Sequence, residues 1–181
     1  MHIRPATIED CDALGLVIVT ASWSTFLGRI PEQYFDFSWT PEVSAANWRE
    51  SFDETPGPGE LFYVAEQDGQ VVGFIRAEAG ADCPDLEWSI RALYVLPSYQ
   101  RQGVGRGLLS YVARELAAAG VNSLEIGCVK ENPSCGFYRR LGGVEMGRRP
   151  NKIDHYSTKE ILFGWPNVKD LIDDREPGSL K

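Results

Sequence analysis

Residues Leu93 to Gly107 read LYVLPSYQRQGVGRG. A β-prone run passes into a short loop, Gln100-Arg101-Gln102-Gly103-Val104-Gly105, and then into an amphipathic helix. The first N–H groups of a helix have no internal acceptor, and the helix dipole places partial positive charge there. The arrangement therefore suits an anion, a pyrophosphate above all. Gly103 and Gly105 lack a Cβ, so the backbone can curve tightly and approach phosphate oxygens, while Arg101 and Arg106 add charge-assisted contacts. Such a loop also fits a plain connection. Two other phosphate motifs do not match. In Gly103-Val104-Gly105-Arg106-Gly107-Leu108 the third glycine comes one place too early for a dinucleotide fingerprint, and no Gly-Lys-Ser/Thr follows to make a nucleotide P-loop.

A second cluster of chemically useful residues follows: Asn132-Pro133-Ser134-Cys135-Gly136-Phe137-Tyr138-Arg139-Arg140-Leu141-Gly142. Asn132 can cap a short helix that Pro133 opens and Gly142-Gly143 closes. On that helix Tyr138 is either a core aromatic or a phenol presented to a site. No metal is expected. Cys11, Cys83, Cys128 and Cys135 lack paired C-x-x-C spacing and read as buried thiols, and only His2 and His155 offer imidazoles.

The elements that must position these residues can be traced along the chain. Residues 1–4 read as a strand, and Thr7 with Asp10 opens a helix to about Ser24, with Leu14, Ile18 and Trp23 toward the core. Residues 23–52 concentrate aromatics (Trp23, Phe26, Tyr34, Phe35, Phe37, Trp39, Trp48, Phe52), which either pack a helical segment on a sheet or line a pocket. The run Thr55-Pro56-Gly57-Pro58-Gly59 is a loop. Strands at 61–66 and 71–78 flank an Asp68-Gly69 hairpin turn, and a third strand runs from about Leu86 to Val95. Val104, Leu108, Val112 and Leu116 make one helical face that ends at Gly120, and 123–130 is the next strand, which a right-handed crossover makes parallel to 86–95. Strands near 144–148 and 157–163 complete a mixed sheet.

These residues together resemble the GNAT N-acetyltransferase superfamily. Val95, four residues, then Gln100-x-x-Gly103-x-Gly105 is similar to its acyl-coenzyme A signature, and Asn132 through Tyr138 to Leu141-Gly142 resembles its later segment. Ile3-Arg4-Pro5-Ala6-Thr7 with Asp10, then Ala21-Ser22-Trp23, Gly28, Pro31 and Tyr34, resembles the N-terminus of one branch. The resemblance covers roughly residues 1–165. It implies an α/β fold with a central mixed, mostly antiparallel sheet, helices on both faces and a splayed parallel strand pair. It also implies an acetyl-CoA-dependent transfer to a primary amine of a small molecule or peptide.

In that frame the backbone from Gln100 through Arg101, Gln102, Gly103, Val104, Gly105 and Arg106 grips the pyrophosphate. The main chain of Leu93, Tyr94 and Val95 pairs with the pantetheine amides, Asn132 contacts the coenzyme arm, and Tyr138 is the general acid at the leaving thiolate. The chain departs from the family pattern at the base. Many members carry Glu in the strand before the signature, at a place that here falls on Ser89. Alternation puts Glu87, Ser89, Arg91, Leu93 and Val95 on one side if no bulge intervenes, so Glu87 becomes the expected base through a water, with His155 and Tyr156 as further candidates.

The length of 181 residues suits one domain, expected over 1–166, with 167–181 a flexible tail. A net charge of -8 argues against a nucleic-acid partner and is compatible with cationic or amine acceptors. No apolar run is long enough to span a membrane, and a cytoplasmic enzyme is expected, with a homodimer possible. The alternative is a non-catalytic acyl-CoA-binding or sensing module of the same fold.

Overall fold

The computed structural model describes residues 1–53, 59–153 and 155–173, so most of the expected loop at 55–59 lies outside the described residues. Seven strands form one sheet in the order β1-β2-β3-β4-β5-β7-β6. They are β1 (His2–Pro5), β2 (Glu60–Gln67), β3 (Gln70–Ala79), β4 (Trp88–Val95), β5 (Leu124–Val129), β6 (Val144–Ile153) and β7 (Tyr156–Trp165). Asp68 and Gly69 both take positive φ, as the expected hairpin between β2 and β3 demands. All neighbours are antiparallel except β4 and β5, the pair joined by the crossover helix.

Helices cover both faces. On one lie α1 (Cys11–Phe26) and α2 (Pro41–Asp53), on the other α3 (Val104–Ala118) and α4 (Ser134–Arg140). Leu14 and Val17 of α1 pack with Val64 and Phe74 of the sheet, and Trp48 and Phe52 of α2 join them. Cys11, Val19 and Ala21 are buried as well, so the single apolar stripe expected for the first helix is wider than read. A helix held between a sheet and a second helix needs more than one covered side. The expected face of α3 (Val104, Leu108, Val112, Leu116) is buried, together with Phe163 and Trp165 of β7.

Two expectations change. The last strand pair is longer than 144–148 and 157–163, forming a hairpin whose tip brings Tyr156 to 5.3 Å from Tyr34, centroid to centroid. The flexible tail expected from residue 167 begins instead with a packed turn. Val168 and Leu171 are buried, Asn167 accepts a hydrogen bond from Lys169 N at 3.2 Å, and Asp173 N donates to Ser110 Oγ at 2.8 Å. Residues 174–181 lie outside the described residues.

The parallel pair is short. Only Trp88–Ile90 and Leu124–Ile126 are in register, while β4 stays paired with β3 to Val95 and β5 with β7 to Val129. The β3–β4 register shifts between Arg76/Ala77, which leaves Arg91 as the extra residue of a bulge. A bulge sharpens local twist and bends its strand, so β4 turns away from β5 just past Ile90.

Candidate active site

The divergence of β4 from β5 opens a cleft of about 960 Å³ that passes between the strands from the α3/α4 face to the α1 face. Its walls are Arg91–Val95 on one side and Ile126–Val129 on the other. Among the described residues, no strand pairs the main chain of residues 91–95 on the β5-facing side. An extended ligand with spaced amide groups can fill that role.

At the α3 end the cleft meets the start of the helix. Arg101 has φ 64 and Gly103 φ 87, two left-handed residues within one turn, so successive N–H groups converge into a nest. Gly103 occupies the N-cap position with no side-chain cap, which leaves the first N–H groups of α3 for a ligand. A β-carbon at Gly105 would come into van der Waals contact with the Phe137 and Val95 side chains at 3.7 Å, so the bare glycine keeps this side of the turn less crowded. Arg101, Arg106 and Arg140 line the same end. A diphosphate fits this donor set.

Ten of the expected contact residues share this cleft: Leu93, Tyr94, Val95, Gln100, Arg101, Gly103, Gly105, Arg106, Asn132 and Tyr138. Side chains at this end also have structural duties of their own. The Gln100 side chain donates to Val95 O at 3.0 Å and so braces the loop, and Gln102 does the same to Ser98 O at 2.7 Å. Val104 is buried in the core, so only its main chain faces the turn. Arg106 Nε already pairs with Asp173 Oδ2 at 2.7 Å. Asn132 Oδ1 accepts from Ser134 N at 2.8 Å, the expected cap, while the residue still lines the cleft.

Tyr138 lies where the strands part, buried at 5 % exposure among Phe137, Phe163 and Trp165. Burial holds its phenol well above the ordinary tyrosine range, with the Cys128 thiol a lesser contributor, so the group keeps its proton. Cys128 and Cys135 are buried with Sγ atoms 3.2 Å apart, and burial, then the Cys135 thiol, pushes Cys128 up. Both are free thiols, as the sequence suggested.

Glu87 is a correction. It precedes β4, is exposed, and accepts from Asn122 N at 2.6 Å. It lies six positions before Leu93, about 20 Å along an extended chain, at the paired end of β4 and β5 rather than the open end. The bulge at Arg91 also breaks the alternation on which the expectation rested. His155 and Tyr156 belong to the β6–β7 tip and do not line the cleft, whereas Asn151, Lys152, Ile153 and Glu160 do. Glu160 and Arg140 are the residues that sequence reasoning missed. On the α1 side Ser22, Trp23, Phe26, Phe35 and Trp39 close the cleft, so part of the aromatic segment does line a pocket. Among the described residues no group of three or more His, Cys, Asp or Glu could hold a metal, and no helix is long and apolar enough to cross a membrane.

Comparison with known proteins agrees with this geometry. The chain is 27% identical over 176 residues to the uncharacterized N-acetyltransferase YuaI of Bacillus subtilis, covering 93% of this chain and 95% of that one. It is 28% identical over 133 residues to the [ribosomal protein bS18]-alanine N-acetyltransferase of Escherichia coli, covering 73% and 80%. The crystal structure of the latter type of enzyme from Escherichia coli superposes with TM-score 0.65 at 22% identity, covering 97% of each chain. That of a PaiA N-acetyltransferase from Thermoplasma acidophilum in complex with coenzyme A does so with TM-score 0.65 at 20% identity, covering 88% and 96%. The acetyltransferase (GNAT) family model matches residues 25–143, which span the nest, the parted strands and Tyr138, and the chain belongs to that family.

Proposed function

We propose that the chain transfers an acetyl group from acetyl-CoA to a primary amine of a small molecule or peptide, by direct attack in a ternary complex. The observation that carries this reading is the cleft itself, which joins a phosphate nest on one face to an aromatic-lined pocket on the other, with Tyr138 at the crossing. The first turn of α3, with Arg101 and Arg106, holds the diphosphate. The unpaired edge of β4 holds the pantetheine arm, and the amine reaches the thioester carbon from the α1 side. Holding both reactants in one passage converts a bimolecular encounter into an intramolecular one. Likeness to a bS18-alanine N-acetyltransferase supports a peptide amine as one acceptor class.

A second reading, a non-catalytic acyl-CoA sensor, rests on Ser89, which is buried at the paired end of β4 and offers no base. Incubation with acetyl-CoA and a library of primary amines, with thiol release as readout, separates the two. Release above hydrolysis background is expected for at least one amine. Tight coenzyme binding with no such release would leave the sensor.

The placement of Glu87 gives a second expectation. Glu87→Ala should cost at most about 1 kcal/mol of stability through the lost hydrogen bond to Asn122. Turnover should stay within about twofold of wild type, because a distant surface residue shifts energies by only about 0.5 kcal/mol. A large fall in kcat at unchanged stability would return Glu87 to the mechanism.

A further inference from the structure

We propose that Glu160 is the acceptor-side carboxylate of this cleft, binding the incoming ammonium and taking its proton before attack. The assignment rests on the acetyl-transfer reading above and gives it the base that Glu87 and Ser89 do not supply.

Among the described residues that line the cleft, Glu160 is the one carboxylate. Its neighbours Ile161 and Phe163 turn into the α3-side core, and alternation along β7 sends Glu160 to the opposite face, where the aromatic pocket lies. Its side chain is 12% exposed. Burial chiefly raises the Tyr94 phenol of β4 and the Cys128 thiol of β5, and the Glu160 carboxylate adds a lesser part to each, so it sits within electrostatic reach of both walls.

Gly127 explains how the carboxylate fits there. A β-carbon at this position would collide with the Glu160 carboxyl group, so any other residue in the wall would push the acid aside. The cleft thus lacks a side chain on β5 just where it receives one from β7.

The carboxylate is also held. Arg149 Nε, on the paired strand β6, donates to Glu160 Oε2 at 2.5 Å, and Arg149 in turn pairs with Asp82. Arg91, the bulge residue, bridges Asp82 at 2.9 Å and Glu78 at 2.6 Å. Arg149, then Arg91, holds the Asp82 carboxyl below its ordinary range, so Asp82 stays charged near neutral pH and keeps both arginines in place. Oε1 lies over Gly127, accepts no hydrogen bond from the described residues, and belongs to a side chain that lines the cleft. One oxygen is fixed and the other is available, the arrangement expected of a positioned base.

The proton balance closes. The ammonium passes one proton to the carboxylate, and the nitrogen lone pair forms the C–N bond as the C–S bond breaks. The remaining surplus proton on nitrogen is matched by the one the thiolate takes, and Glu160 returns its own to water. Overall one proton is released.

The test uses the full chain, acetyl-CoA, and two acceptors, butylamine and an alanine-initiated tripeptide. Glu160→Gln is expected to lower kcat/KM for the accepted amine by about a hundredfold near pH 7, with the deficit shrinking as the pH approaches the amine's own pKa, while the calorimetric Kd for coenzyme A stays unchanged. A merely structural ion pair would instead lower the melting temperature and leave the pH profile parallel to wild type. Gly127→Ala, which keeps the acid but displaces it, should reproduce the acceptor defect and covers the case of a poorly folding Gln variant. Turnover and pH profile equal to wild type in both variants would overturn the assignment while leaving acetyl transfer intact. A wild-type chain that releases no thiol with any amine would overturn both.

Discussion

Gly103→Glu should bind coenzyme A about a hundredfold more weakly than wild type, or worse, while still folding. At φ 87 the position is left-handed, and a residue with a β-carbon costs about 1–2 kcal/mol there. A carboxylate beside uncapped N–H groups recovers about 0.3–1 kcal/mol from the helix dipole, so the net loss of stability is small. The same carboxylate occupies the nest as an internal anion and repels the diphosphate. Loss of two charge-assisted hydrogen bonds, at about 1.5 kcal/mol or more each, already gives the hundredfold change. Gly103→Ala separates the effects, since it carries the strain without the charge. Calorimetry should show near-wild-type binding for Ala and none of consequence for Glu. Equal affinity in the Glu variant would mean that the turn before α3 does not hold the phosphates.

Tyr138→Phe should lower kcat by about ten- to a thousandfold and leave coenzyme affinity within about threefold. The ring is retained among Phe137, Phe163 and Trp165, so only the hydroxyl is tested. Burial raises the phenol, which is therefore protonated at every pH below its shifted value. The active, proton-bearing form persists through the whole neutral and mildly alkaline range, and no descending limb from Tyr138 should appear below about pH 10. The departing thiolate, conjugate base of a thiol of pKa about 8.5, is a weaker base than the Tyr138 phenolate, so the phenol stabilises the departing sulfur chiefly by hydrogen bonding. Unchanged turnover in the Phe variant would remove Tyr138 from the reaction.

What could be read from the sequence divides along the range of its signals. The nest, the long helix and the Asn132 cap are local: turn residues, spacing and periodicity act within a few positions, and the structure places them as read. The parallel relation of β4 and β5 followed from handedness alone. Glu87 falls outside the cleft because alternation was carried through Arg91, where a bulge resets the side-chain order, and no residue type announces that bulge. Glu160 was invisible for a different reason. Its place in the cleft depends on a β6–β7 register and on the bareness of Gly127, partners drawn from three strands with no common motif. The turn at 167–173 was likewise misread because its polar composition hides two apolar plugs, Val168 and Leu171.

The segment of β4 beyond the bulge has divided duties. Leu93 and Val95 spend their side chains on the core beneath α3, and it is their backbone that borders the opening between strands. Recognition along this rim, as proposed, would be blind to which aliphatic group stands there. Exchanges among such groups change packing and leave the edge intact, whereas proline, which deletes an N–H and fixes its dihedral, would silence the rim at a stroke.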